Sequence, residues 1–274
     1  MKHKWNKAAF GICLSVGLLG AFLFLWTAAA EGEAHYTPDY PMENLQAYLE
    51  KEELTEEEYT LLLRQTGLGK PAVDELRKRG ETDKIKELQQ ALFREVELCC
   101  TPNTIISKEE LLLCTPENSP VRIPVVEEGD ILITFNCHVF GWRVGHAGLV
   151  VSAKERLTLE ARVLGSDSAV LPLAHWQSYP SFAVLRLKEA PKKQRQEIAE
   201  YAAANLNALP YRLTAEAEVG EEISGTQCAH LVWYVYKRFG YDLDSDGGRI
   251  VTPRDIFDSP LLEIVQIYGM EPEN

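Results

Sequence analysis

The sequence predicts an α+β domain preceded by a small helical region. Helix signals dominate 43–115. Beyond them, β-type runs at 130–135, 147–151, 158–164 and 182–187 give way to helical stretches near 191–206 and 228–239. Pro116-Glu117-Asn118-Ser119-Pro120 separates the two regimes, dividing the chain into a helical region (43–115) and a second domain (120–270). Strands followed by helices form the α+β pattern. Hydrophobic residues make up 46% and charged residues 25% of the chain, a balance that supports a packed core and excludes disorder.

The formal net charge is −13. The body after residue 30 is more acidic still, because it holds every acidic residue while Lys2, Lys4 and Lys7 lie before it. Such a body lacks the basic footprint that nucleic-acid phosphates require, and it has no electrostatic hold on anionic lipid.

The same three lysines precede an uncharged run at 8–30 that ends in Ala28-Ala29-Ala30. The run is long for a signal peptide and long enough to cross a bilayer, so residues 1–30 read as either a cleaved signal peptide or a retained membrane anchor. Either way, the positive-inside rule places residues 31–274 outside the cytoplasm, exported or in the cell envelope. A buried core helix would need a polar face, which this run lacks. Cys13 has none of the small residues that precede a lipidated cysteine.

Residues 31–42 read as a polar, Pro-containing spacer. Thr55 with Glu58 forms a capping box, with Leu54 and Tyr59 as its hydrophobic staple, and Gly67 stops that helix. Pro71 suits the first position of a second helix ending at Gly80. Ile85, Leu88, Leu92 and Val96 predict a third, and Ser107 with Glu110 a short fourth. No histidine lies in 43–115, so packing or docking is its expected role. Five cysteines follow the leader: Cys99, Cys100, Cys114, Cys137 and Cys228. An odd count leaves at least one unpaired thiol. Cys114 has Cys99 or Cys100 within reach for a disulfide, and Cys137 fits a buried apolar position.

Cys228 opens the apolar helix that ends at Gly240. A thiol there meets unpaired N–H groups and the positive end of the helix dipole, which favour thiolate and can hold an oxyanion. The plain alternative is a buried thiol on a packed helix. A thiolate nucleophile needs a base. His3 lies in the leader, His35 in the spacer, and His230 points roughly 200° around the helix from Cys228. His138 and His175 fall in loops and stay open as alternatives. His146 stands in Gly145-His146-Ala147-Gly148 at the head of a β-run, with small neighbours that leave its ring accessible. If 147–151 and 158–164 form a hairpin centred near Ala153, residue 146 lies opposite Glu160, whose carboxylate would orient the imidazole. A one-residue slip would send Glu160 to the other face.

Together, Glu128-Gly129-Asp130-Ile131-Leu132, Gly145-His146-Ala147-Gly148, Glu160-Ala161 and Gln227-Cys228-Ala229-His230-Leu231-Val232-Trp233 resemble the YiiX-like branch of the NlpC-type, circularly permuted papain-like superfamily. Gly240-Tyr241-Asp242-Leu243-Asp244 and Val251-Thr252-Pro253-Arg254-Asp255 are similar too, so the resemblance spans roughly 120–265. It implies Cys228 as nucleophile, His146 as base and Glu160 as orienting acid, with Tyr211 and Gln227 as oxyanion or substrate contacts. Many relatives carry a small hydroxyl residue and an acid after the cysteine, where this chain has Ala229 and His230. The implied activity is a cysteine peptidase or amidase acting on cell-wall peptides, without a cofactor. Acyl transfer or amide cleavage on lipid substrates is the alternative enzyme, and a non-catalytic envelope binding module the alternative class. Membrane contact is expected only through the N-terminal segment. Asp242, Asp244 and Asp246 with Gly247 match the first half of a calcium loop, but Pro253 stands where the bidentate glutamate belongs, so an acidic turn is the simpler reading.

Overall fold

The computed structural model describes residues 33–115, 120–216 and 223–272, with Gly17 and Gly20 of the leader; the 8–30 run otherwise lies outside the described residues. From residue 33 on, four helices come first among the described residues: α1 (Gln46–Leu49), α2 (Glu56–Thr66), α3 (Lys70–Lys78) and α4 (Thr82–Leu92). The Thr55–Glu58 capping box opens α2, left-handed Gly67 closes it, and Pro71 sits in the first turn of α3.

The expected fourth helix at Ser107 is a strand. β1 (Leu98–Pro102) and β2 (Ser107–Leu112) form an antiparallel hairpin, and β2 pairs onward with β4 (Cys137–Val139), which pairs with β5 (Trp142–Arg143). The Ser107 hydroxyl meets Thr104 Oγ1 at 2.7 Å, and Thr104 Oγ1 also accepts the Ile106 and Ser107 N–H groups. A side chain read as a helix cap therefore closes a turn, and pairing with β4 overrides the local helix signal. The third helix also stops at Leu92, short of Val96. Cys99, Cys100 and Cys114 are free thiols, so the anticipated disulfide is not formed.

The main sheet has six antiparallel strands in the order β10-β9-β3-β6-β7-β8. They are β3 (Ile131–Thr134), β6 (His146–Ser152), β7 (Leu157–Glu160), β8 (Ala169–Pro172), β9 (Phe182–Leu187) and β10 (Leu262–Tyr268). β7 ends at Glu160, earlier than the 158–164 run implied. Helices α5 (Lys192–Asn205) and α6 (Cys228–Arg238) cover one face, and α7 (Pro253–Phe257) lies beside α6. Alternation along β3 shows the layering: Ile131 and Ile133 pack with α5 and α6, whereas Leu132 joins a second core with Leu62, Leu76 and Ile85 of the N-terminal helices. Both faces of the sheet are thus covered.

Residues 33–42, read as a spacer, lie against this body. Asn136 donates to the Ala34 carbonyl at 2.8 Å, Tyr36 N–H donates to the Gly269 carbonyl at 2.9 Å, and Gln65 donates to the Pro41 carbonyl at 3.1 Å. Gly269, at φ +60°, permits the approach, since a Cβ there would lie 2.0 Å from the Pro180 carbonyl oxygen.

Candidate active site

Cys228 is the first residue of α6 and is 8% exposed. Gln227, the N-cap, places its side-chain oxygen 2.9 Å from the Ala229 N–H and 3.4 Å from the Cys228 thiol, while its amide nitrogen donates to the Val251 carbonyl at 2.7 Å. Gln227 thereby ties the helix start to the loop before α7. Cys228 N–H, in the first turn, has no intrahelical acceptor by position.

His146, the first residue of β6, stands at the end of the sheet. Its Nε2 lies 2.8 Å from Glu160 Oε2, and His146 and Cys228 line the same cleft. The ring stacks on Trp176, with centroids 5.2 Å apart and planes 11° from parallel. Burial opposes the imidazolium, but the hydrogen bonds and charges of Cys228 and Glu160 outweigh it and raise His146 to about 9. Glu160 is 1% exposed and accepts from four donors: His146, His175 Nε2 at 3.2 Å, Trp176 Nε1 at 2.9 Å and the Thr158 hydroxyl. Burial pushes the carboxyl up, yet these bonds hold it well below the usual carboxylate range, so the acid is charged.

The hairpin register is not the one expected. β6 and β7 pair Leu149 with Leu159 and Val150 with Thr158, and a bulge follows before Ser152. Continued, that register sets Glu160 opposite Gly148, two residues from His146. A two-residue offset keeps the same face, and the contact runs diagonally. It needs Gly148: a Cβ there would sit 2.8 Å from Trp176 Cζ2 and 3.0 Å from Glu160 Cγ.

His230, two residues past Cys228, turns away as the helix geometry predicts. Its Nδ1 meets Thr226 Oγ1 at 2.9 Å, and burial lowers it to about 4, so it is neutral. His138 in β4 faces Glu110 at 3.3 Å. His175, in a 3₁₀ turn rather than a loop, joins His146 on Glu160 and is not among the residues lining the cleft. The contacts of Trp176, Thr158 and His175 with Glu160 were not foreseen in the sequence. Trp176-Gln177 in a polar stretch offered no periodic signal, and only the fold brings these residues to Glu160.

A cleft of about 990 Å³ opens over the site, with Cys228, His146, Gln227 and Tyr211 in its lining. Tyr211 is held beside the loop that precedes Cys228 by a parallel bridge to Thr226. Burial, with Cys228 and Cys137 near, pushes its phenol well above the ordinary value, so it stays a donor. Cys137 also faces the cleft, but burial and the neighbouring Glu109 push its thiol up, which separates it chemically from a nucleophile. Glu109 is paired with Arg162 at 2.9 Å and accepts from Tyr179 at 3.1 Å. The Glu128-Gly129-Asp130 motif is structural: Asp130 accepts two bonds from Arg186, at 2.7 and 2.8 Å, beneath the sheet.

Of the acidic turn, Asp242 takes Trp233 Nε1 at 2.8 Å and the Lys237 ammonium. Asp244 and Asp246 instead share a cluster with Asp255, whose carboxylate oxygens lie within 4.8 Å of one another. Asp255 also closes a capping box with Thr252, and the Asp244 side chain accepts the Gly247 N–H at 3.1 Å, so local turn bonds account for these groups.

A cysteine at a helix start, a histidine at a strand head and a carboxylate behind it, in the chain order His, acid, Cys, define a thiol–imidazole–carboxylate site on an antiparallel α+β fold. No family model and no curated protein matches the chain. Among solved structures it is similar to the crystal structure of metalloprotein yiiX from Escherichia coli O157:H7. The two are 18% identical with a TM-score of 0.41, over 51% of this chain and 96% of that one.

Proposed function

We propose that this protein is a thiol hydrolase that cleaves amide bonds through Cys228, His146 and Glu160. The observation that carries the reading is that Cys228, at a helix start, shares one cleft with His146, whose ring is bonded to the buried, charged Glu160. In this mechanism the Cys228 thiolate attacks the carbonyl carbon, and the Cys228 N–H supports the oxyanion. His146, held as imidazolium by Glu160, donates its proton to the leaving amine, and the C–N bond breaks to leave a thioester. Neutral His146 then takes a proton from water, whose oxygen attacks the thioester. The acid leaves, and its departure restores the thiolate–imidazolium pair.

Cell-wall peptides are the substrate class proposed from the sequence. The cleft lining favours a second reading, acyl amides, because Phe135, Phe140, Trp142, Leu213 and Ile250 give it apolar walls. The test is labelling of the full chain by iodoacetamide, followed by a turnover screen with muropeptides and N-acyl amides. Cys228→Ala should lose labelling at that position and all turnover while keeping its circular dichroism. A Cys228→Ala protein with near wild-type turnover would sink the mechanism.

A further inference from the structure

Several exposed apolar side chains gather around one opening. Phe140 (52% exposed), Trp142 (45%) and Val144 (42%) sit on or beside the β4–β5 hairpin, and all three line the cleft mouth. Leu213 and Ile250 face the same opening from loops on the α6 side. Ile105, fully exposed at the β1–β2 turn, lies at the same end of the small sheet, because the Phe140 N–H donates to the Ile106 carbonyl at 2.7 Å. An apolar rim of this kind marks a binding surface.

A second, independent observation says what covers it. The chain arrives from the leader at this mouth. Glu33 and Tyr36 line the cleft, and Ala34 is hydrogen-bonded to Asn136, the residue just before β4. Three residue steps separate Glu33 from Ala30, the end of the uncharged 8–30 run. Even fully extended, those steps span only about 10 Å. A leader embedded in a bilayer would hold the cleft mouth at the lipid interface, where tryptophan side chains partition well. The acidic body gives no attraction to anionic headgroups, so contact would rest on the tether and the apolar rim. Lys108 and Arg254 on the same wall are offset by Glu33 and Glu271.

We propose that the leader is retained, that the cleft mouth rests on the bilayer through Phe140, Trp142, Val144, Leu213 and Ile250, and that substrate enters from the membrane surface. The location of the reacting centre rests on the thiol-hydrolase reading; the docking itself does not. The experiment uses the full chain, with its leader, reconstituted in phosphatidylcholine vesicles with or without brominated acyl chains. Trp142 emission is isolated as the difference between wild type and Trp142→Phe, which removes the contribution of Trp5, Trp26, Trp176 and Trp233. Brominated lipid should quench that difference signal at least twofold. Equal emission in the two lipids would overturn the proposal, as would a mature chain whose mass shows removal at Ala30. Burial of the rim in a dimer, seen as an unquenched signal with a doubled mass, would also overturn it in favour of a second copy. Iodoacetamide labelling of Cys228 in the same vesicles reports on the hydrolase reading separately, so the two can fail independently.

Discussion

Replacing Glu160 by glutamine tests the centre of the site with almost no change of shape. The carboxylate is buried and its Oε2 lies 2.8 Å from His146 Nε2. His146 rises from 6.5 to about 9 against the opposing effect of burial. At about 1.4 kcal/mol per tenfold step, that rise favours the imidazolium by about 3 kcal/mol, shared between Cys228 and Glu160. Removing the Glu160 charge should lower the deprotonation of His146 and cost roughly tenfold or more in rate. Glutamine also turns an NH₂ group toward one of the four donors that Glu160 accepts, leaving a buried donor unsatisfied at a cost of about 1–3 kcal/mol. The stability linkage has a definite sign. A histidine raised in the folded state contributes stability that is complete below its unfolded value of 6.5 and is lost as pH rises through about 9. In Glu160→Gln that loss should still begin near 6.5 but be complete at lower pH and be smaller. The assays are NMR titration of the His146 ring, the pH dependence of Cys228 alkylation by iodoacetamide, and urea unfolding between pH 6 and about 10. Alkylation curves that superimpose on wild type would refute the coupling between Glu160 and the reacting pair.

The remaining predictions test neighbours of the same pair. His146→Ala should lower turnover at least about a hundredfold, whereas His230→Ala should keep the chemistry; equal losses would overturn the separation of the two rings. Because burial lowers His230 to about 4, its stabilising effect is present above the unfolded value of 6.5 and is lost as pH falls toward 4. His230→Gln should therefore show a flatter stability profile across that window in urea melts. Gly148→Ala places a Cβ 2.8 Å from Trp176 Cζ2, so it should displace Glu160 or Trp176 and lower His146's titration while the protein stays folded. A wild-type His146 titration in that variant would show that the diagonal contact does not need the glycine.

Much of this was legible in the sequence because it is local. The Thr55–Glu58 box, the Gly67 and Gly80 stops and the Cys228 helix are set by contacts within a few residues, and they stand as expected. Helix rotation set His230 aside, and small neighbours at the head of a β-run singled out His146. That His146 and Glu160 share a face followed from the period-two pattern of strands, even though the register differs by two. What the sequence could not decide is non-local. Ser107–Leu112 carries a helix-start signal but becomes a strand because β1 and β4 complete its ladder from either side. The second sheet edge, β10, pairs with β9 across a long stretch of chain. Trp176, His175 and Thr158 reach Glu160 only after a 3₁₀ turn at Leu173–Ser178 brings the first two to it. Most telling is the 33–42 segment: its composition reads as spacer, yet hydrogen bonds to Asn136 and Gly269 bring Glu33 and Tyr36 to the mouth of the cleft. Side-chain types and short-range patterns determined which groups could react. The closing of distant strands and loops decided which carboxylate, ring and apolar rim stand beside them, because such contacts gain their energy only once the whole sheet is assembled.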